Sequence, residues 1–225
     1  MRVFQSKGMI YMANISNSTN DTVITGTASG DSITNTGQPV TINAGDGNNT
    51  ITSDHRNSKH ASDNDATLSN RVYITSGSGK DSVYVNASRM NGFLDSALIY
   101  TPYSGYINVG GGDDTIRNYQ VNNSEMLGGD GNDDIRISDA INSTIYGDTG
   151  NDYIENAGSY DTTIYGGDDN DTVYAHNIDG FNDAGTKLIH HVHIYGGAGR
   201  DSIVTNSVNC AVVYEIGRAS CRERV

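Results

Sequence analysis

A short Gly- and Asp-rich phrase recurs eight times along the chain, and this repeat constrains the fold more than any other feature. Its clearest copy, residues 128–135, reads GGDGNDDI. A repeat of this size is a unit that cannot bury its apolar side chains alone, so successive units must stack on one another. The other copies begin at Gly26, Ala44, Ser76, Val109, Gly147, Gly166 and Gly196.

The sixth position of the phrase is an aspartate in seven of the eight copies. Successive sixth positions are 18, 32, 33, 19, 19, 19 and 30 residues apart, so the basic coil has 18–19 residues. The three longer coils carry the insertions Ser53–Arg71, Ala87–Gly105 and Ala175–His193. The sixth positions are Asp31, Asn49, Asp81, Asp114, Asp133, Asp152, Asp171 and Asp201.

The segments around the phrase alternate between apolar and polar residues, as in Ile135-Arg136-Ile137. This period of two is typical of short β-strands. The phrase is then one turn between two strands, and a second turn is built from Asn, Ser, Ala and Gly. Two strands and two turns per coil predict an all-β parallel solenoid of about eight coils. Only 35% of the residues are hydrophobic, which suits a solenoid whose core is one ladder of side chains thick.

The phrase also has the chemistry of a calcium site. Calcium takes 6–8 oxygen ligands from carboxylates and backbone carbonyls and tolerates flexible geometry. Stacked coils lie ~4.8 Å apart, so an ion between two turns can take oxygens from both. Without an ion, two carboxylates at that spacing repel by ~0.8 kcal/mol in bulk water and by more at a protein surface. Turn preference alone would not hold aspartate at one fixed offset, so we expect ions along this edge.

The phrase resembles GGxGxDxUx, the RTX or hemolysin-type calcium-binding repeat. The resemblance covers about Asp21 to Tyr214 and is most specific between Gly110 and Ile203. It implies a right-handed parallel β-roll. Family members usually carry the phrase on both turns of a coil, whereas the second turn here lacks the glycine doublet and the aspartate. We therefore expect ions along one edge only.

We expect three to five calcium ions, with the best sites between successive aspartates from Asp114 to Asp171. The predicted metal ligands are Asp81, Asp114, Asp133, Asp152, Asp171, Asp201, Gly110, Gly111, Gly112, Gly128, Gly129, Gly131, Gly147, Gly150, Gly166, Gly167, Gly196, Gly197 and Gly199. Weaker candidates are Asp31, Asn49, Asp130, Asp168 and Asp169.

The net charge of −13 argues against nucleic acid and anionic lipid as partners, because both need stripes of Lys and Arg. The sequence contains no Gly-x-Ser-x-Gly elbow, His-Glu-x-x-His motif or phosphate loop. We therefore expect a non-enzymatic, monomeric, calcium-stiffened module, with an extracellular glycan or a host surface as a further partner. The alternative is a solenoid that binds or modifies polysaccharide as a lyase or epimerase does, but the basic residues are scattered too thinly for an acidic-glycan groove.

The resemblance implies a secreted or surface-exposed bacterial protein, exported by type I secretion through a C-terminal signal that this sequence lacks. Low calcium inside the cell would keep such a chain unfolded, and calcium outside would fold it. We predict a disordered lead-in over residues 1–20, a β-roll over 21–214 and a non-native tail over 215–225. That tail, EIGRASCRERV, abandons the repeat and resembles a translated sequencing adapter. The sequence has no apolar run long enough for a membrane span or a signal peptide.

Three groups of side chains offer further sites. His190, His191 and His193 form either a zinc or copper site or an exposed polar strand face. His55 and His60 fall in a polar insertion that we expect to be a solvated loop. One outward column of tyrosines predicts either a glycan-binding stripe or rings that pack on each other. Its members are Tyr146, Tyr165 and Tyr195.

Overall fold

The computed structural model describes residues 12–19, 22–37, 39–55, 71–86, 104–119, 123–139, 141–159, 161–178, 192–208, 211–214 and 220–224. These residues form nineteen strands. The strands are β1 Asn14–Asn17, β2 Thr22–Thr25, β3 Ser32–Asn35, β4 Val40–Asn43, β5 Thr50–Asp54, β6 Arg71–Thr75, β7 Ser82–Asn86, β8 Ser104–Asn108, β9 Thr115–Tyr119, β10 Glu125–Asp130, β11 Asp134–Ser138, β12 Thr144–Thr149, β13 Tyr153–Ala157, β14 Thr162–Asp168, β15 Thr172–Ile178, β16 Val192–Ala198, β17 Ser202–Val208, β18 Ala211–Tyr214 and β19 Ser220–Arg224.

The strands build two sheets in which every neighbouring pair is parallel. The odd-numbered strands form one sheet of ten in the order of the chain, and the even-numbered strands form the other sheet of nine. Each coil thus contributes one strand to each sheet, which confirms the predicted parallel β-solenoid. The eight Gly/Asp phrases are the turns that lead from an even strand to the next odd strand. We call the side of the solenoid formed by these turns the Gly/Asp edge.

The core is a set of ladders between the two sheets. The residue two places after each sixth position points inward, and Ile116, Ile135 and Ile154 pair across neighbouring strands. In the even sheet, Ile145, Ile164 and Ile194 pair in the same way. All six side chains are fully buried. Alternation along the strands therefore supplies most of the core, as the sequence pattern predicts, and Ala44 and Val109 add to it from the turns.

The long coils keep the same register as the short ones. Across the first insertion, Thr50 pairs with Ser82, and across the second, Ser82 pairs with Thr115. Across the third, Thr172 pairs with Ser202. Large parts of the predicted insertions, residues 56–70, 87–103 and 179–191, lie outside the described residues. The strands on both sides of each of these ranges keep the common register, so the additional residues do not disturb the stacking.

Both ends of the solenoid extend beyond the predicted boundaries. β1 lies within residues 1–20 and pairs with β3, because Asn14-Ile15-Ser16-Asn17 alternates like the later strands. β19 lies within residues 215–225 and pairs with β17. Backbone pairing does not report the origin of that segment, so its non-native character stays a prediction. Among the described residues, none belongs to a helix of the length and apolarity that a membrane span requires.

Candidate metal centre at the Gly/Asp edge

The sixth-position residues form one continuous column along the Gly/Asp edge. In each coil the side-chain Oδ1 accepts a hydrogen bond from the backbone N–H of the sixth-position residue in the preceding coil. The N···O distances are 2.8 Å from Asp114 to Asp133, 2.8 Å from Asp133 to Asp152 and 2.9 Å from Asp152 to Asp171. The same bond joins Asp31 to Asn49, Asn49 to Asp81, Asp81 to Asp114 and Asp171 to Asp201.

The insertions therefore do not interrupt the column. The bonds from Asp81 to Asp114 and from Asp171 to Asp201 join residues 33 and 30 positions apart, and their N···O distances are 2.6 and 3.0 Å. Every member of the column is at most 3% exposed. The sequence correctly grouped these eight residues, because the phrase fixes each one at the same place in its turn.

The second carboxylate oxygen is unsatisfied in the central coils. Oδ2 is buried without a hydrogen-bond partner in Asp114, Asp133, Asp152 and Asp171. Oδ2 of Asp81 also lacks a well-aligned partner, although Ser76 and Asn49 lie near enough to act on the pKa of that carboxyl. A buried charged oxygen without a partner is costly, so these atoms indicate a missing positively charged ligand.

The first glycine of the phrase leaves room for this oxygen. A Cβ built on Gly128 would collide with Oδ2 of Asp133 and with the carbonyl oxygen of Gly147 in the next coil. The equivalent glycines, Gly147, Gly166 and Gly196, lie against Oδ2 of Asp152, Asp171 and Asp201 in the same way. Carboxylate and carbonyl oxygens thus converge beside Gly128, Gly147 and Gly166, where a larger side chain would collide with them.

The second and fourth positions make the turn itself. Gly129 and Gly131 have φ values of +101° and +135°, which most L-residues avoid. Asp148 and Asp169 replace glycine at these positions and still adopt φ values of +76° and +75°. Asp169 therefore does not prevent the turn. The other predicted glycines with positive φ are Gly110, Gly112, Gly150, Gly167, Gly197 and Gly199.

The electrostatics of the column match its geometry. Burial raises the pKa of Asp114 and of Asp171 to about 7, and repulsion from neighbouring carboxylates adds to this effect. Burial raises the pKa of Asp133 and of Asp152 to about 6 for the same reasons. The pKa of Asp81 is raised as well, chiefly by burial. Asp114, Asp133, Asp152 and Asp171 thus bind protons more readily than an ordinary aspartate does when no metal is bound.

In the first two coils, groups of the protein itself hydrogen-bond to the second terminal atom of the sixth-position side chain. Oδ2 of Asp31 accepts a 2.5 Å bond from the backbone N–H of Thr27, and Oδ1 accepts bonds from Ala13 N at 2.8 Å and Thr27 Oγ1 at 3.0 Å. Asn49 has an amide where the later coils have a carboxylate. Its Nδ2 donates to the carbonyls of Gly45 and Gly47, each at 2.9 Å, and to Ser76 Oγ at 3.0 Å.

Three weaker candidates lie on the outside of the turn. Asp130, Asp168 and Asp169 are exposed, and Oδ1 of Asp130 accepts a 2.9 Å bond from Thr149 Oγ1. The third-position Gly111 bridges to Ser78 and to Asp130 through its backbone. The structure does not bring Asp130, Asp168 or Asp169 into the buried column. Their carboxylates are placed to add negative charge around it.

A second ladder at the fifth position of the phrase was missed in the sequence. Oδ1 of Asn132 accepts bonds from both the backbone N and the Nδ2 of Asn151, at 2.9 and 3.1 Å. Asn151 accepts two bonds from Asn170 in the same way, and Asn170 accepts one from the backbone N of Arg200. The recurrence of Asn before the aspartate was the available signal. This exposed amide ladder joins the coils without any metal.

The donor set at the Gly/Asp edge suits a hard cation. Within the described ranges, no three His, Cys, Asp or Glu side chains converge on a point. An ion at this edge must therefore take most of its oxygens from backbone carbonyls and only the remainder from the column. Calcium, with its high coordination number and preference for such oxygens, fits this set better than zinc does.

The family comparison agrees with this chemistry. The model of the RTX calcium-binding nonapeptide repeat (4 copies) matches residues 142–162, 156–177 and 192–209. Residues 142–209 carry RTX calcium-binding repeats. The match includes Asp152, Asp171 and Asp201 of the column, and the resemblance inferred from the phrase is confirmed there. No curated protein and no solved structure matches the chain significantly.

The rings of the outward tyrosine column stack on one another within the segment that matches the RTX repeat. The rings of Tyr146 and Tyr165 are 5.0 Å apart and 5° from parallel, and those of Tyr165 and Tyr195 are 4.8 Å apart and 11° from parallel. Tyr73 and Tyr106 stack in a separate column, two positions earlier along the even strands, with ring centroids 4.7 Å apart. Both faces of Tyr165 are thus covered by neighbouring rings. A sugar could reach only ring edges there, and glycan binding stays a prediction.

The histidines fall in different environments. His55 directly follows β5 and is 1% exposed, so the expected solvated loop is wrong at this residue. Its Nε2 lies 2.8 Å from Ser53 Oγ, and burial lowers the pKa of His55 to about 4. His193 lies on β16 in the same orientation as Tyr195, as expected. His60, His190 and His191 lie outside the described residues, and the zinc or copper site stays a prediction.

Proposed function

We propose that this chain is a structural module of a secreted or surface protein and that calcium ions on the sixth-position column complete its fold. The module binds calcium through RTX repeats, and the finer assignment concerns the ions, their ligands and their role. The observation that carries it is the row of buried Oδ2 atoms without partners in Asp114, Asp133, Asp152 and Asp171. Asp81 extends the row by one coil.

Different residues of the phrase have different roles in holding an ion. Oδ1 of each aspartate fixes the side chain by accepting the N–H of the preceding coil, which leaves Oδ2 free for a ligand. In the phrases of Asp133, Asp152 and Asp171, the glycine at the first position keeps the space beside Oδ2 open. A bound calcium ion would supply the positive charge that neutralises these oxygens. Four to five ions per chain follow from the four unpartnered oxygens and from Asp81, within the expected range of three to five.

Such ions would control folding. Binding to the folded form alone stabilises it by about 1.4 kcal/mol per site at ten times the dissociation constant. Four sites together contribute about 5–6 kcal/mol, which is comparable to the whole stability of a small domain. RTX repeats typically belong to secreted proteins, and extracellular modules bind calcium at about 0.1–1 mM. The chain would remain unfolded where calcium is scarce and fold after export.

The role we propose is mechanical and not catalytic. The carboxylates of the column are committed to Oδ1 hydrogen bonds and to ions, and the matched family is a calcium-binding repeat. A column of ions between coils would stiffen the solenoid along its axis. The polysaccharide-binding or lyase-type alternative has no comparable support, because the stacked tyrosines cover each other's faces.

Equilibrium calcium binding by the full chain tests this proposal. Isothermal titration calorimetry should give four to five calcium ions and no comparable magnesium binding. A single variant with Asn in place of five aspartates should bind none of these ions. It carries the substitutions Asp81→Asn, Asp114→Asn, Asp133→Asn, Asp152→Asn and Asp171→Asn. Full calcium binding by that variant would show that the ions lie elsewhere.

A further inference from the structure

We propose that the side-chain amide of Asn49 takes the place of a calcium ion, so that the turn at residues 44–49 stacks without metal. This inference rests on the proposed function, because it assumes that the aspartates of the later coils hold calcium. It identifies one sixth-position residue as the group that decides whether its turn binds an ion.

Asn49 sits in the column as the aspartates do. Its Oδ1 accepts the backbone N–H of Asp31 at 2.8 Å, and its own N–H donates to Oδ1 of Asp81 at 2.6 Å. The side chain is 1% exposed, as buried as its charged neighbours. The single chemical difference is therefore at the second terminal atom, which is Nδ2 in Asn49 and Oδ2 in the later coils.

That atom has the partners that an ion would otherwise take. Nδ2 donates to the carbonyl oxygens of Gly45 and Gly47 and to Ser76 Oγ, at 2.9, 2.9 and 3.0 Å. The reverse orientation of the amide would place its oxygen against two carbonyl oxygens and its nitrogen against an N–H donor. Only one orientation is thus compatible with the surroundings.

The amide satisfies the turn without adding charge. The carbonyls at the second and fourth positions of the phrase receive N–H donors from Asn49, so they need no cation. The preceding sixth position, Asp31, is closed by Thr27 N and Thr27 Oγ1. The metal-binding part of the column therefore begins at Asp81, and the coils before it stack through hydrogen bonds alone.

The Asn49→Asp variant tests this inference by replacing the amide with a carboxylate. Native mass spectrometry in saturating calcium should count one more ion in the variant than in the wild type. Asn132→Asp makes the same change on the exposed fifth position of another phrase and should leave the count unchanged. These two variants add the same charge, so only the position differs.

Hydrogen exchange at a calcium concentration just sufficient to fold the wild type provides a second readout on the same proteins. Asn49→Asp removes the donors to Gly45 and Gly47, so the N–H groups of Thr50 and Ser82, which join adjacent coils, should exchange about tenfold faster. Saturating calcium should restore their protection. Wild-type calcium binding with an unchanged or smaller ion count in Asn49→Asp would overturn this inference alone. No calcium in any of the three proteins would overturn the proposed function and the inference together.

Discussion

The first coils and the central coils share one backbone but satisfy their buried oxygens by different means. Around Asp31, the backbone N–H of Thr27 donates to Oδ2, and the side-chain amide of Asn49 donates to the carbonyl oxygens of Gly45 and Gly47. Around Asp133 and Asp152, the same turns leave carboxylate oxygens without a partner. The difference shows that stacking fixes the geometry of the Gly/Asp edge, whereas one side chain per coil decides whether that geometry requires an ion.

The largest effect should come from removing a carboxylate in the centre of the ion column. Asp152→Ala loses the ligand and leaves the buried N–H of Asp133 without its acceptor. We expect the free energy of unfolding in saturating calcium to fall by about 3 kcal/mol, with one ion fewer bound. Chemical denaturation measures this change. Asp168→Ala on the exposed surface is the control and should stay within about 0.5 kcal/mol of the wild type.

The second-largest effect should be the pH dependence of the stability of the metal-free chain, which arises in the central coils. The pKa values of Asp114 and Asp171 in the folded chain are raised to about 7, so these groups bind protons more tightly when folded than when unfolded. Their contribution to stability is therefore present below about pH 4 and is lost as the pH rises through about 7. Thermal unfolding in EDTA should show a melting temperature that falls as the pH rises from 5, until the metal-free chain is unfolded near pH 7.5.

Calcium should reverse that trend, because protons compete with the ion for the same carboxylates. A melting temperature in EDTA that is constant or rises over this pH range would contradict the raised pKa values.

A smaller effect should follow from breaking the fifth-position amide ladder. Asn151→Ala removes the side-chain bonds to Asn132 and Asn170 on the exposed surface and keeps the backbone bond to Asn132. We expect a loss of about 1 kcal/mol in saturating calcium and an unchanged number of bound ions. Chemical denaturation in calcium, combined with calorimetric titration, measures both quantities. A lower ion count would show that the ladder shapes the metal sites.

The smallest effect should be at Asp31. Thr27→Val removes the hydroxyl that donates to Oδ1 but keeps the backbone bond to Oδ2. We expect a loss of about 0.5–1 kcal/mol in saturating calcium and an unchanged number of bound ions. Chemical denaturation and calorimetric titration measure these two quantities. A lower ion count would mean that Asp31 holds an ion after all.

Most of the fold could be predicted from the sequence, because the repeat fixes it. The offset of Asp133, Asp152 and Asp171 from their glycines predicted the column, and the alternation around Ile135 predicted the strands. The ends were less accessible, since β1 and β19 lie outside the eight phrases and carry only the general alternation of a strand.

The satisfaction of individual oxygens could not be predicted in the same way. Asn49 is only a neutral replacement in the sequence, and its three hydrogen bonds depend on the approach of Ser76 from a coil 27 residues away. His55 lies next to a polar insertion in the sequence, yet it is buried beside Ser53. Both outcomes depend on contacts between coils, which a local pattern does not contain.

Far-UV circular dichroism of the chain during a calcium titration tests the central claim most directly. The account predicts a low β signal in EDTA that rises cooperatively between about 0.1 and 1 mM calcium and does not respond to magnesium. The same full β spectrum in EDTA and in calcium would contradict it, because the strand ladders and amide bonds would then suffice without ions.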